Sequence, residues 1–263
     1  MTEYRTGLGT SDIDHIKLLG LEVADDLMGK VGFGELAFWM VTKRRPTPSE
    51  VRVFETVLVA LADHGFTPTV IAARMTLYSA PESLQGAVAA GLLGGGSRFL
   101  GVTEDAGMFL AQALKENGLN IDSSLTEAEW DEVARKVLVD SKASGKKVPG
   151  LGHPVHKNGD PRTPVMFRIA KEENLKRGHL NLYEAIGRVH PEILGRTLPL
   201  NGAGVSGAAL ADLALPPHML RGFALLARTA GLIAHLFEEQ QDPAAPEIYM
   251  SVDRNAVFAP PQN

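Results

Sequence analysis

The chain has 263 residues, 44% of them hydrophobic and 22% charged, and it contains no cysteine. That balance belongs to a globular protein of one large domain or two closely joined ones, and it excludes thiol nucleophiles, thiolate metal sites and disulfide frameworks. The net charge is −5 and no Lys or Arg block dominates any region, so no nucleic-acid partner is expected.

Along the chain, residues 1–14 are polar and carry Asp12 and Asp14, so no signal peptide is expected. Thr47-Pro48-Ser49-Glu50 sets a cap, a first-position proline and a box glutamate before a helix over 51–62. His64 follows at its end. Residues 70–75 continue the helical apolar pattern around Arg74, and Ser79-Ala80-Pro81-Glu82 reads as a second helix start, before 84–93. Thr126-Glu127-Ala128-Glu129 is a third, ahead of Trp130, Val133, Val137 and Leu138 at helical spacing. Gly94-Gly95-Gly96 and Asn201-Gly202-Ala203-Gly204 read as helix ends. Alternating strand patterns are scarce, so the expected fold is all-α.

The longest apolar stretch, 222–237, is interrupted by Arg228 and His235 and is expected to be too short to span a bilayer. No membrane partner is therefore expected, and the default location is cytoplasmic. Residues 51–62, 70–75 and 225–237 are apolar on every side, which suits a large core or a subunit interface and suggests a homodimer or higher homo-oligomer.

The densest chemistry lies between Lys146 and Arg162. Two histidines (His153, His156), three lysines and an arginine sit there among glycines and prolines. Asp160-Pro161 reads as a cap and first-position proline, which puts Arg162 in a first helical turn, where free N–H groups already favour an anion. A guanidinium at that place suits bidentate binding of a carboxylate. The His153/His156 spacing offers no third ligand in sequence, so no metal is expected. Arg74 and Arg228 stand in apolar helices, and a buried unpaired charge costs several kcal/mol. Each must meet a carboxylate or reach a cavity.

Together these segments resemble the citrate synthase superfamily along most of the chain. The Pro149-Gly150-Leu151-Gly152-His153 run leading to Asp160-Pro161-Arg162 is similar to the family's Pro-Gly-x-Gly-His loop. Asp63-His64 before Arg74, the set Arg228, Gly231, Ala234 and His235, and Pro46-Thr47-Pro48 before a long helix also match in order. The resemblance implies a large helical domain (1–104 and 222–263) and a smaller one (105–221), with the active site between them. It implies that His153 handles the ketone or the alcohol proton, with His64 in the catalytic set. His64, Arg162, Arg228 and Arg74 would then hold carboxylates. Coenzyme A would lie along Val148, Gly150, Leu151, Gly152 and Lys157, with Lys146 and Lys147 near its phosphates, as a thioester substrate and with no metal or redox cofactor.

The departures sharpen the reading. Phe99 stands where synthases have a histidine that polarises the acetyl-CoA thioester, and Ala203 where they have the aspartate base. Asp242-Pro243 occupies the region of a late arginine that family partners donate. Phenylalanine in an Arg-Phe segment is typical of the compact citryl-CoA lyase branch, the module that also ends the ATP-citrate lyase chain. The expected activity is therefore cleavage of a 3-hydroxy-acyl-CoA to an acyl-CoA and a 2-oxo acid. The alternatives are citrate or 2-methylcitrate synthase-like condensation (a transferase activity), and a non-catalytic CoA-binding homologue. Asp105, Glu104 and Asp212 are the candidates to replace the missing base; a different substrate is the other explanation.

Overall fold

The computed structural model describes residues 2–261. After a short antiparallel meander, β1 (Gly9–Ser11), β2 (Ile16–Leu18) and β3 (Leu21–Glu22), come α1 (Phe33–Thr42), α2 (Pro48–Ala62), α3 (Pro68–Ser79) and α4 (Leu84–Leu93). They are followed by α5 (Val102–Glu116), α6 (Glu127–Ala143), α7 (Arg162–Glu172), α8 (Gly178–Leu194), α9 (Gly202–Asp212), α10 (Leu220–Gln241) and α11 (Ala245–Asn255). The chain is 61% helical, so the all-α expectation holds. The meander was not anticipated; its β2–β3 turn places Leu19 and Gly20 at positive φ.

Two of the three capping boxes form as read. Thr47 and Glu50 exchange side-chain and backbone hydrogen bonds at the start of α2, and Thr126 and Glu129 do so at α6. The third does not: Ser79 closes α3, and α4 begins only after Ser83, whose side chain makes no cap bond. A similar correction applies to Asn201-Gly202-Ala203-Gly204, which starts a helix. Asn201 is the N-cap of α9 and its side chain accepts from the Gly204 amide at 2.8 Å.

The main core joins Phe38 and Phe54 from α1 and α2, Leu138 from α6, Tyr183 from α8, Leu210 from α9 and Phe223 from α10. A second cluster locks α3 and α4 onto α10 through Val70, Leu77, Ala87, Leu232 and Leu236. α10 is longer than the interrupted apolar run suggested. With the 3₁₀ turn Pro217–Met219 before it, it has the length and composition to cross a membrane. Here it is a core helix, packing on α2, α3, α4 and α5, with the charged Arg228 and Glu239 both buried. The expected boundaries at 104/105 and 221/222 fall in the first turns of α5 and α10.

Close approach at α10 depends on Gly231. A Cβ there would sit 2.1 Å from the Ala62 carbonyl oxygen, at the end of α2. Gly231→Ala should therefore push α10 off the segment that carries His64 and cost about 1–3 kcal/mol, as overpacking does, which urea unfolding would measure.

Candidate active site

A cavity of about 350 Å³ opens where the end of α2, the turn before α5, the loop before α7, the start of α9 and the middle of α10 meet. His64, His153, Arg162 and Arg228 all line it, as do Arg98, Phe99, Asn201 and Ala203. Four of the residues expected at the site are thus brought together from sequence positions 64 to 228.

The loop that carries His153 is anchored through its backbone. The Gly152 amide donates to the Pro199 carbonyl at 2.7 Å, the Asn201 amide donates to the Gly150 carbonyl at 2.9 Å, and Leu151 forms a bridge with Leu200. The Tyr183 hydroxyl donates to Gly150 O, and the Asn201 side chain donates to Gly152 O, both at 2.7 Å. Gly150 has φ +84°, and a Cβ on it would lie 2.7 Å from Gly204 Cα, so only glycine lets the loop touch α9 this closely. Val148, Gly150, Leu151, Gly152 and Lys157 do not line the cavity. The carbonyls of Gly150 and Gly152 and the Gly152 amide are spent on docking the loop, and Val148 is buried.

His153 is oriented by its own loop. Its Nδ1 accepts from the amides of Val155 at 3.0 Å and His156 at 2.9 Å. A nitrogen that accepts two N–H bonds carries no proton, so the neutral ring holds its proton on Nε2 and is a donor there. Burial, then the neighbouring His156, pushes its pKa below the ordinary 6.5, which keeps it neutral.

Arg162 begins α7, as the sequence implied. Its Nε and Nη2 donate to the Asp160 carboxylate at 2.9 and 2.7 Å, and its Nη1 donates to the Ala60 carbonyl at 3.0 Å. Asp160 also accepts from the Gly202 amide at 2.7 Å. Burial alone would raise the Asp160 carboxyl, but the bonds from Arg162 and Gly202 hold it well below the usual carboxylate range. The sequence points to Asp160 as a cap; its larger role is to join the start of α9 to Arg162, which in turn donates to α2. Asp160→Ala leaves the part-buried Arg162 cation without its partner, a loss on the order of 3 kcal/mol. Because the folded pKa is depressed, the wild-type contribution is complete above the unfolded carboxylate range, near pH 4, and fades below it. Acid unfolding curves of the two proteins should converge as pH falls through that range.

The two arginines in apolar helices part company. Arg74, 1% exposed, donates to Glu239 at 2.9 Å, to His235 Nδ1 at 2.8 Å and to Glu238. It lies over the Phe66 ring at 4.7 Å and does not line the cavity. Its expected role as a carboxylate receptor is therefore corrected: its charge is already met inside the protein. His235 in turn donates from Nε2 to Asp63 at 2.9 Å, next to His64. Arg228, 4% exposed, donates to the Leu61 carbonyl at 3.2 Å and has no carboxylate within salt-bridge distance among the described residues. Desolvation pulls its pKa below the ordinary arginine value.

The replacement bases suggested by sequence are elsewhere. Asp212 is fully buried at the far end of α9, where it accepts from the His179 ring and amide and from the amides of Arg177 and Leu180. Glu104 and Asp105 pair with Arg221. Among the described residues no carboxylate lines the cavity, and Ala203 forms part of its wall. Arg98 was missed as a lining residue; a cation beside a glycine turn was its signal in the sequence.

The sequence matches the family described as citrate synthase, C-terminal domain, over residues 20–248. The chain belongs to the citrate synthase family. Citrate synthase of Deinococcus radiodurans is 28% identical over 217 residues, which is 78% of this chain and 51% of that protein. The chain thus spans about half the length of the curated relatives it matches. Among solved structures, citryl-CoA lyase from Hydrogenobacter thermophilus superposes with a TM-score of 0.84 at 27% identity, covering 99% of this chain and 96% of that one. The ATP citrate lyase of Methanosaeta concilii, solved as an alanine variant in complex with (3S)-citryl-CoA, shares the fold at a TM-score of 0.77 and 21% identity, over all of this chain and 42% of that one. The compact helical architecture read from the sequence is thus that of citrate synthase-family proteins.

Proposed function

We propose that this citrate synthase-family chain is a CoA-ester carbon–carbon lyase of the citryl-CoA type, cleaving a carboxylate-bearing 3-hydroxy-acyl-CoA to an acyl-CoA and a 2-oxo acid. The observation that carries this reading is Arg228, a desolvated guanidinium on the cavity wall with no carboxylate within salt-bridge distance among the described residues. Such a charge is costly until an anion arrives, so the site favours a carboxylate ligand. The near-complete superposition on a citryl-CoA lyase and the phenylalanine at position 99 support cleavage over condensation.

In this reading Arg228 and the remaining face of Arg162 hold the carboxylates. The His153 N–H stays on the substrate oxygen as it passes from hydroxyl to ketone. The hydroxyl proton goes to His64, the C–C electron pair moves into the thioester enolate, and the same proton is returned to the enolate carbon. No net proton is gained or lost, which suits a cavity lined by no carboxylate among the described residues. Coenzyme A would extend from the cavity toward Lys157, and 105–221 would form the smaller of two parts meeting at the cavity. A homodimer fits the apolar side chains Ile233 and Phe237, 50% and 64% exposed one turn apart on α10. A cytoplasmic location fits the same reading.

Arg228→Met should weaken binding of citrate or oxaloacetate at least about 30-fold, the lower end of what truncating one partner of a buried charge pair costs. Calorimetric titration measures it. Unchanged affinity would remove the observation on which the reading stands. Ala203 favours a second reading, a CoA-binding homologue without turnover, and CoA-dependent thermal stabilisation with no thioester consumed would point to it.

A further inference from the structure

The loop pair His153 and His156 lacks a third histidine in sequence, but folding supplies one. His64 ends 5.4 Å from the His153 ring and 5.3 Å from the His156 ring, and the two loop rings are 4.5 Å apart, centroid to centroid. The Nε2 atoms of His64 and His156 are 3.2 Å apart. One ring nitrogen from each of the three residues lies within 4.8 Å of the others, and all three side chains are half-buried. Two imidazole nitrogens that close repel unless a proton or a cation lies between them. With metal–nitrogen bonds of about 2.0–2.1 Å, the edge of a tetrahedral site is roughly 3.3 Å, so the His64–His156 pair is already at chelating distance.

We propose that His64, His153 and His156 form a binding site for a late first-row divalent cation such as Zn²⁺, and that this ion and the carboxylate substrate exclude each other. Three imidazoles without thiolate or carboxylate suit Zn²⁺, Co²⁺, Ni²⁺ or Cu²⁺ and not Mg²⁺ or Ca²⁺. The fourth position opens on the cavity, since His64 and His153 both line it. Competition follows from His153. Coordination through Nδ1 displaces the Val155 and His156 amides that now donate to it. Coordination through Nε2 moves the ring proton to Nδ1 and displaces the same amides. In the first case the proton stays on Nε2 but the ring, freed of both amides, turns onto the ion; in the second the proton leaves Nε2. In both, the N–H aimed at the substrate oxygen is lost, so the bound ion inhibits. Only the inhibition rests on the lyase reading; the binding does not.

The test uses tag-free, chelator-treated protein titrated with Co²⁺ and followed by visible absorption. The expected result is saturable binding of one ion per chain with the strong bands of a tetrahedral site, reversed by Zn²⁺. His156→Gln and His64→Gln should each weaken binding at least about 10-fold, since even groups that only orient a ligand contribute 10–100-fold, with melting curves confirming that both variants fold. Absence of one-per-chain binding, or equal affinity in both variants, would overturn the site. Binding with the expected losses, in a metal-free protein that cleaves no citryl-CoA, would leave the site standing and remove the lyase reading instead.

Discussion

Ala203→Asp should raise turnover by about 10²–10⁴-fold, the usual contribution of a positioned general acid or base. Ala203 lines the cavity with His153 and Phe99, and among the described residues no carboxylate does. An aspartate there gives the enolate carbon its own proton donor in cleavage and its own base in the reverse direction. Exchange of the acetyl-CoA methyl protons in deuterated water isolates that step: the wild type should exchange slowly and the variant quickly. An unchanged exchange rate would mean that position 203 does not face the reacting carbon.

His153→Ala carries the second large effect, a loss of about 10²–10⁴-fold in kcat. The pH profile adds a signature that a merely structural role would not give. Protonating His153 puts a proton on Nδ1 and breaks both amide bonds to it, which agrees with its lowered pKa. The acid limb of kcat/KM should therefore fall below pH 6.5, the ordinary histidine value. Stability follows the same sign. The unfolded ring takes a proton first, so the wild type loses stability as pH falls through the unfolded value, and His153→Ala does not.

Much of the architecture was legible because helix starts are local. The Thr47 and Thr126 boxes need only residues within one turn. Where the local pattern was ambiguous it misled. Ser79-Ala80-Pro81-Glu82 has the composition of a cap, yet α3 runs on through Ser79 because its inner face packs on α10 and α4. The glycine-rich run after Asn201 fits either end of a helix by composition, and only the Asn201–Gly204 bond makes it a start.

At the site, the rule that a buried arginine needs a carboxylate or a cavity held for both candidates, but the sequence could not assign them. Glu238 and Glu239 claim Arg74 across 164 and 165 residues, while Arg228 is left at the cavity. The convergence of His64 on His153 and His156 was invisible for the same reason, since it depends on how the end of α2 meets the loop before α7. The citrate synthase-like motifs marked His64, His153, Arg162 and Arg228 as lining residues. They did not show that Asp160 holds Arg162, nor that the Gly150 and Gly152 carbonyls and the Gly152 amide anchor the loop.

The most direct test of the central claim is cleavage of citryl-CoA by the purified protein, with released oxaloacetate reduced by malate dehydrogenase and followed as loss of NADH. The lyase reading predicts oxaloacetate formation that depends on protein concentration and disappears in His153→Ala. Tight binding of citryl-CoA with no oxaloacetate, or condensation of acetyl-CoA with oxaloacetate faster than cleavage, would contradict it.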